Sequence, residues 1–207
     1  MVCYIGEGKA MDERLMRYGA VVFDVGNVLL SFDPRKVSLL LPEEHREKLF
    51  QAMFGPENRW AKFDLGKESN EEIALKIARA AGVPGGEKLV LHALYHFPEG
   101  MDPLPLYAMI PLLRQAGKKV YALTNYAEPS FSYTQERFPH LKALDGLVVS
   151  SREKVCKPDE RIYRLLQERC ALNPQDTLFI DDAAANVEAA ARLGFHTWHY
   201  AGENRLE

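Results

Sequence analysis

The chain has 207 residues, of which 47% are hydrophobic and 27% charged, the composition of a globular protein with room for one good core and an added module. A formal net charge of -3 and the lack of any dense Lys/Arg run exclude the electrostatic footprint of a nucleic-acid or anionic-membrane binder. Cys3, Cys156 and Cys170 form no CxxC pair, so neither a disulfide framework nor a thiolate zinc site is expected, and a cytoplasmic location fits.

Residues 1–18 carry Glu7, Asp12, Glu13, Arg14 and Arg17 and no apolar run long enough for a signal peptide or membrane span, and they read as an N-terminal extension. The apolar run 20–25 follows, interrupted by Asp24 and closed by Gly26-Asn27. A desolvated carboxylate costs several kcal/mol without partners, so Asp24 must be hydrogen-bonded, paired with a cation or metal-bound. Gly26 signals a sharp turn or a close approach just beyond it.

Residues 33–117 contain no convincing strand. Amphipathic segments at 34–41, 42–54, 70–81, 86–97 and 104–115 are separated by stops at Gly55-Pro56, Gly82-Val83-Pro84 and Pro98. The last is expected to lead into the second strand. The others form a small helical cap over 34–102, inserted into a core made of 19–33 and 103–207.

Apolar runs at 119–124, 146–150, 177–181 and 196–200 then alternate with helix-period segments at 128–138, 158–169 and 186–193. Continuous apolar strands separated by helices predict an α/β fold, a Rossmann-like doubly wound parallel sheet. A module inserted after the first strand would overhang the carboxyl ends of the strands, where such sheets bind ligands.

Three further signals fall on that edge: Thr124-Asn125 after the second strand, Lys157-Pro158 at the start of a helix, and Asp181-Asp182 after the fourth strand. Carboxylates converging there would repel unless a cation sits between them, and an all-oxygen donor set favours Mg²⁺ over zinc. A cation, an ammonium and a hydroxyl can together neutralise and orient a phosphoryl group, leaving one carboxylate free for in-line attack. An ionised Asp needs no general base to act as a nucleophile.

In order and spacing, Asp24, Thr124, Lys157 and Asp181-Asp182 resemble the four motifs of the haloacid dehalogenase-like (HAD) hydrolase superfamily. The strings Phe-Asp-Val-Gly-Asn-Val, Lys-Pro-Asp-Glu-Arg-Ile-Tyr and Ile-Asp-Asp, with Asn186 downstream, are most similar to the sugar-phosphatase branch typified by α-D-glucose-1-phosphate phosphatase. The resemblance implies a Mg²⁺-dependent hydrolase acting on a small phosphorylated metabolite, such as a sugar phosphate, through an aspartyl-phosphate. Asp24 would be the nucleophile, Thr124 and Asn125 would bind phosphate oxygens, and Lys157 would stabilise charge. Asp24, Asp181, Asp182 and the Gly26 carbonyl would hold the metal.

Gly26 is also the point of departure, because many phosphatases of the superfamily carry a second Asp there as acid and base. Three substitutes are open: Asp33 at the start of the cap, a cap acid such as Asp64, or a substrate with a good leaving group. The alternatives to a phosphatase are metal-independent 2-haloacid dehalogenation, to which two extra acids contribute little, and a non-catalytic phosphate-ester binder.

Other residues read as structural. His92 and His96 have the spacing of metal ligands on a helix but lack a third ligand. His196 and His199 point to opposite faces of a strand. Trp60 and Phe63 suit packing or substrate contact equally well, in a mixed stretch with Asp64 and Lys67. Cys156 reads as a small packing residue beside Lys157.

Overall fold

The computed structural model describes residues 3–5 and 9–200, with backbone alone for 3–5 and 9–11. β1 (Cys3–Ile5) and β2 (Lys9–Met11) form an antiparallel hairpin, followed by one helical turn, α1 (Glu13–Met16). Leu15 of that turn is fully buried, Arg14 lies 3.6 Å above the Trp198 ring, and Tyr18 stacks on His196 at 4.4 Å. Arg14 and Tyr18 thus tie this segment to the last strand of the sheet.

The core is a parallel five-stranded sheet of β3 (Ala20–Phe23), β4 (Lys119–Thr124), β5 (Gly146–Val149), β6 (Thr177–Asp181) and β7 (His196–His199), in the order β5-β4-β3-β6-β7. Alternate residues serve opposite faces, as strand geometry requires. Val21, Phe23, Val120, Ala122, Leu178 and Ile180 join one apolar cluster, whereas Ala20, Val22, Tyr121, Leu123 and Phe179 join another. Both faces are therefore covered, which is why the strands read as unbroken apolar runs rather than as alternating ones.

α10 (Glu160–Cys170) and α11 (Ala184–Arg192) cover the second face through Ile162, Tyr163, Leu166, Ala189 and Ala190. α7 (Met109–Gln115) and α8 (Ser130–Arg137) contribute Ile110, Leu113 and Phe131 to the first cluster, and α9 (Ser150–Glu153) is a single turn directly after β5.

Between β3 and α7 lie five helices, α2 (Pro34–Ser38), α3 (Glu43–Phe54), α4 (Arg59–Leu65), α5 (Asn70–Ala80) and α6 (Glu87–His96). Their apolar residues, among them Leu49, Met53, Ile73, Ile77, Val90 and Leu94, are continuous with the first cluster. Sequence periodicity anticipated all of these except α4. Only Trp60 and Phe63 of α4 are buried, and its ends are set by left-handed residues, Asn58 with φ 39° and Gly66 with φ 64°. Asn58 accepts the Ala61 N–H through its side chain, so the helix begins on a residue whose cap function its backbone conformation hides.

Among the described residues no helix is long and apolar enough to cross a membrane.

Candidate active site

β3 sits between β4 and β6, with Phe23 in register with Ala122 and Ile180. Asp24 is the next residue, its N–H donating to the Ile180 carbonyl at 2.9 Å, so it stands beside Asp181 at the carboxyl end of the sheet. Thr124 closes β4 with its side chain buried. Parallel pairing thus brings the ends of β3, β4 and β6 together, and with them the carboxylates expected there.

Lys157 arrives from the loop before α10, and its side chain is only 1% exposed. Its ammonium donates to Asp24 Oδ1 at 2.9 Å, to Asp181 Oδ2 at 2.7 Å and to the Leu123 carbonyl at 2.9 Å. Burial works against this charge, yet Asp181 and Asp24 outweigh it and hold the ammonium above the ordinary lysine range.

Asp181 is completely buried. Its Oδ1 accepts from the Ala183 N–H and from Asn186 Nδ2, both at 2.9 Å, while Oδ2 accepts from Lys157. Asp182 accepts from Asn27 Nδ2 at 3.2 Å. Burial raises the Asp182 carboxyl, with Asn27 opposing the rise. Asp24 Oδ1 also accepts the Val25 N–H at 2.7 Å, and Oδ2 makes no hydrogen bond among the described residues. Burial pushes Asp24 up to about 7 against the pull of Lys157, and Asp181 and Asp182 add to the rise.

Asp24, Asp181 and Asp182 each offer an oxygen within 4.8 Å of the others. Three hard anionic donors at that separation suit a small divalent cation.

The matching family model is described as haloacid dehalogenase-like hydrolase and spans residues 18–194. The chain belongs to this family. A sesquiterpene phosphatase, astK of Aspergillus oryzae, is 27% identical over 185 residues, covering 88% of this chain and 89% of that protein. Acyl-CoA dehydrogenase family member 10 of Mus musculus is 29% identical over 192 residues, or 87% of this chain but only 18% of that protein. A HAD family enzyme of Bacteroides thetaiotaomicron, solved in complex with magnesium and inorganic phosphate, shares the fold with a TM-score of 0.70 at 21% identity, covering 91% of this chain and 98% of that one.

In this HAD-like hydrolase the space above Asp24 is a cavity of about 170 Å³ lined by Asp24, Gly26, Asn125, Asp64 and an apolar wall. Phe32, Trp60, Phe97, Met101 and Tyr126 make that wall, with Trp60 5.4 Å from Phe32 and 4.9 Å from Phe97 between ring centroids. Trp60 therefore packs among aromatic rings and faces the cavity as well. A β-carbon placed on Gly26 would meet nothing within 4 Å, so the missing second Asp leaves open space rather than a filled wall.

Asp33 is not brought to the cavity. It caps α2, accepting the Arg35 N–H at 2.9 Å and pairing with the Arg35 side chain at 3.2 Å, which holds its carboxyl below the ordinary range. Asn125 lines the cavity, but its amide grips the Lys157 backbone: Oδ1 accepts the Lys157 N–H at 2.8 Å and Nδ2 donates to the Lys157 carbonyl at 3.0 Å. Its partner is thirty-two positions away, and spacing alone gives no sign of this role.

Asn27 is a residue that sequence reasoning passed over. At φ 55° it turns the chain after Asp24, accepts the Phe32 N–H at 2.9 Å and holds Asp182. Its signal was the Gly26-Asn27 pair, since Asn enters the left-handed region more readily than most residues.

The remaining candidates take structural places. The rings of His92 and His96 lie 4.5 Å apart, tilted by 37°, with His96 bound to Glu99, and they belong to no metal-sized cluster among the described residues. His199 bonds the Asp182 carbonyl through Nε2 at 2.9 Å. Burial pushes the Cys156 thiol up, away from reactivity.

Proposed function

We propose that the protein is a metal-assisted phosphomonoesterase that uses Asp24 as nucleophile. The observation that carries this reading is the single buried Lys157 bridging Asp24 and Asp181, with Asp182 alongside, at one sheet edge beneath a cavity. Lys157 and the Val25 N–H fix Asp24 Oδ1, which turns Oδ2 toward in-line attack on phosphorus. The P–O bond to the organic group breaks as the Asp24–phosphorus bond forms, and water then attacks phosphorus to free phosphate and restore Asp24. Thr124 and the outer face of the Lys157 region would receive the phosphate oxygens.

Asp24, Asp182, Asp181 and the Gly26 carbonyl would hold Mg²⁺. The bound ion would supply charge neutralisation at the phosphoryl oxygens. Magnesium and phosphate in the Bacteroides thetaiotaomicron enzyme support this reading, as does the name of the Aspergillus oryzae phosphatase. The Asp181-Asp182 pair counts against metal-free dehalogenation. The thiols of Cys156 and Cys170 are free, which fits a cytoplasmic location.

For the substrate we favour a small phosphate ester whose first carbons are apolar over a sugar phosphate. Hydroxyls entering the cavity would meet ring carbons and Met101, with only Asp64 and Asn125 to bond. A cavity of about 150 Å³ holds a benzene-sized guest, so one of about 170 Å³ takes the phosphoryl group and the adjoining carbons rather than a whole hexose.

Phosphate release with and without Mg²⁺, on aryl, isoprenyl and hexose phosphates, tests this. Wild type should require the metal and prefer the apolar esters. Asp24→Asn should lose at least about a thousandfold in kcat, a scale typical for removal of a nucleophile. Undiminished turnover in that variant would remove Asp24 from the chemistry.

A further inference from the structure

We propose that Asp64, carried into the cavity by the helical insertion, is the acid that protonates the departing oxygen and then the base that takes the proton of the hydrolytic water. This rests on the phosphomonoesterase reading and supplies the group that Gly26 lacks. Asp64 and Asp24 line the same cavity from opposite elements, α4 and the end of β3. The Asp64 carboxyl makes no hydrogen bond or ion pair among the described residues, and the one buried lysine of the site is already shared by Asp24 and Asp181. Asp33, the other candidate, is spent on the N-terminus of α2 and on Arg35.

The backbone behind Asp64 is seated on the core. Ser150 Oγ donates to the Asp64 carbonyl at 2.6 Å and accepts the Tyr126 N–H at 2.9 Å. Lys154 Nζ donates to the Gly66 carbonyl. Gly66 lies so close to Ser151 that a β-carbon there would stand 2.7 Å from the Ser151 carbonyl oxygen. These contacts fix where the Asp64 side chain starts and leave only its carboxyl free to meet a ligand.

Burial holds that carboxyl well above the ordinary range, with Asp24 adding to the rise and Lys157 opposing it, so the protonated form that can donate is favoured. In the first step Asp24 Oδ2 bonds to phosphorus, the ester P–O bond breaks with its electron pair going to oxygen, and that oxygen takes the Asp64 proton. In the second step water attacks the aspartyl-phosphate and gives its proton back to Asp64.

The experiment compares wild type with Asp64→Asn on p-nitrophenyl phosphate, whose leaving group needs no proton, and on phenyl and n-alkyl phosphates, whose leaving groups do. kcat/KM, which reports steps up to departure of the leaving group, should fall about a hundredfold or more on the alkyl ester, the usual contribution of general acid catalysis, and less than about tenfold on p-nitrophenyl phosphate, while kcat falls on every ester because hydrolysis of the shared aspartyl-phosphate loses its base. The variant should melt no lower than wild type, because it removes a half-buried carboxyl with no partner among the described residues. An equal loss of kcat/KM on all esters, or no loss on the alkyl ester, overturns the assignment while Asp24→Asn still tests the nucleophile. If wild type cleaves no ester, or Asp24→Asn cleaves them undiminished, the phosphomonoesterase reading and the role of Asp64 fall together.

Discussion

At the sheet edge Lys157 Nζ gives hydrogen bonds to Asp24, Asp181 and Leu123, and Asp181 accepts from Lys157, Ala183 and Asn186. Across the cavity the helical insertion offers Trp60, Phe97 and Met101, beside Phe32 of the core, and one carboxyl, Asp64, with no partner among the described residues. The first wall is a closed network of charges, in which each group is held by the others. The second is apolar with a single polar point. Phosphoryl chemistry needs rigid, paired charge where the phosphorus sits, and a group free to change its proton where the ester oxygen leaves. On the function proposed above, the two walls would divide those requirements between them.

Breaking the closed wall should cost most. Lys157→Met leaves Asp24 and Asp181 buried without their cation, which should destabilise the fold by about 3–5 kcal/mol in urea unfolding. Adding Asp181→Asn should return part of that loss. A cost under about 1 kcal/mol would mean that the network is not held together by its charges.

Unseating the opposite wall should cost less. Gly66→Ala puts a β-carbon against Ser151 in a residue with φ 64°, at about 1–3 kcal/mol, and should lower kcat/KM for alkyl phosphates more than for p-nitrophenyl phosphate. Equal effects on both esters would uncouple the seat from the acid.

The smallest effect concerns the helix that follows Lys157. Asp159 caps α10 through the Arg161 N–H, and bonding to Arg161 lowers its carboxyl to about 2 from an unfolded value near 3.8. A lowered carboxylate stabilises the folded state above its unfolded value and loses that contribution as pH falls from about 3.8 toward 2. Wild type and Asp159→Ala should therefore differ in melting temperature at pH 6, by an amount reflecting about 1 kcal/mol or less for an exposed cap, and converge near pH 2. A difference independent of pH would assign the effect to something other than the carboxylate.

The closed wall was legible because its parts are local signals. A carboxylate at the end of an apolar run is conspicuous, and parallel strands bring such ends to one edge whatever the loops between them do. Asp24, Thr124, Lys157, Asp181 and Asp182 could therefore be named from spacing. Asn125 could be named but not understood, because its amide is committed to a backbone that the fold brings near from far along the chain. α4 could not be read at all. Seven residues with two buried side chains carry too little periodicity, and what holds them is Ser150, Ser151 and Lys154 of the core.

The sequence by itself determined the parallel sheet, the helical insertion and the carboxylates at the strand ends, because burial on both faces and the placing of charge at strand ends are written in short stretches of chain. Only the tertiary structure separates Asp33 from Asp64. One stands at the entrance to the inserted segment and the other within it, but the first meets its nearest donor two residues away and turns to it, while the second is carried by a core-seated backbone into a cavity where it finds none among the described residues.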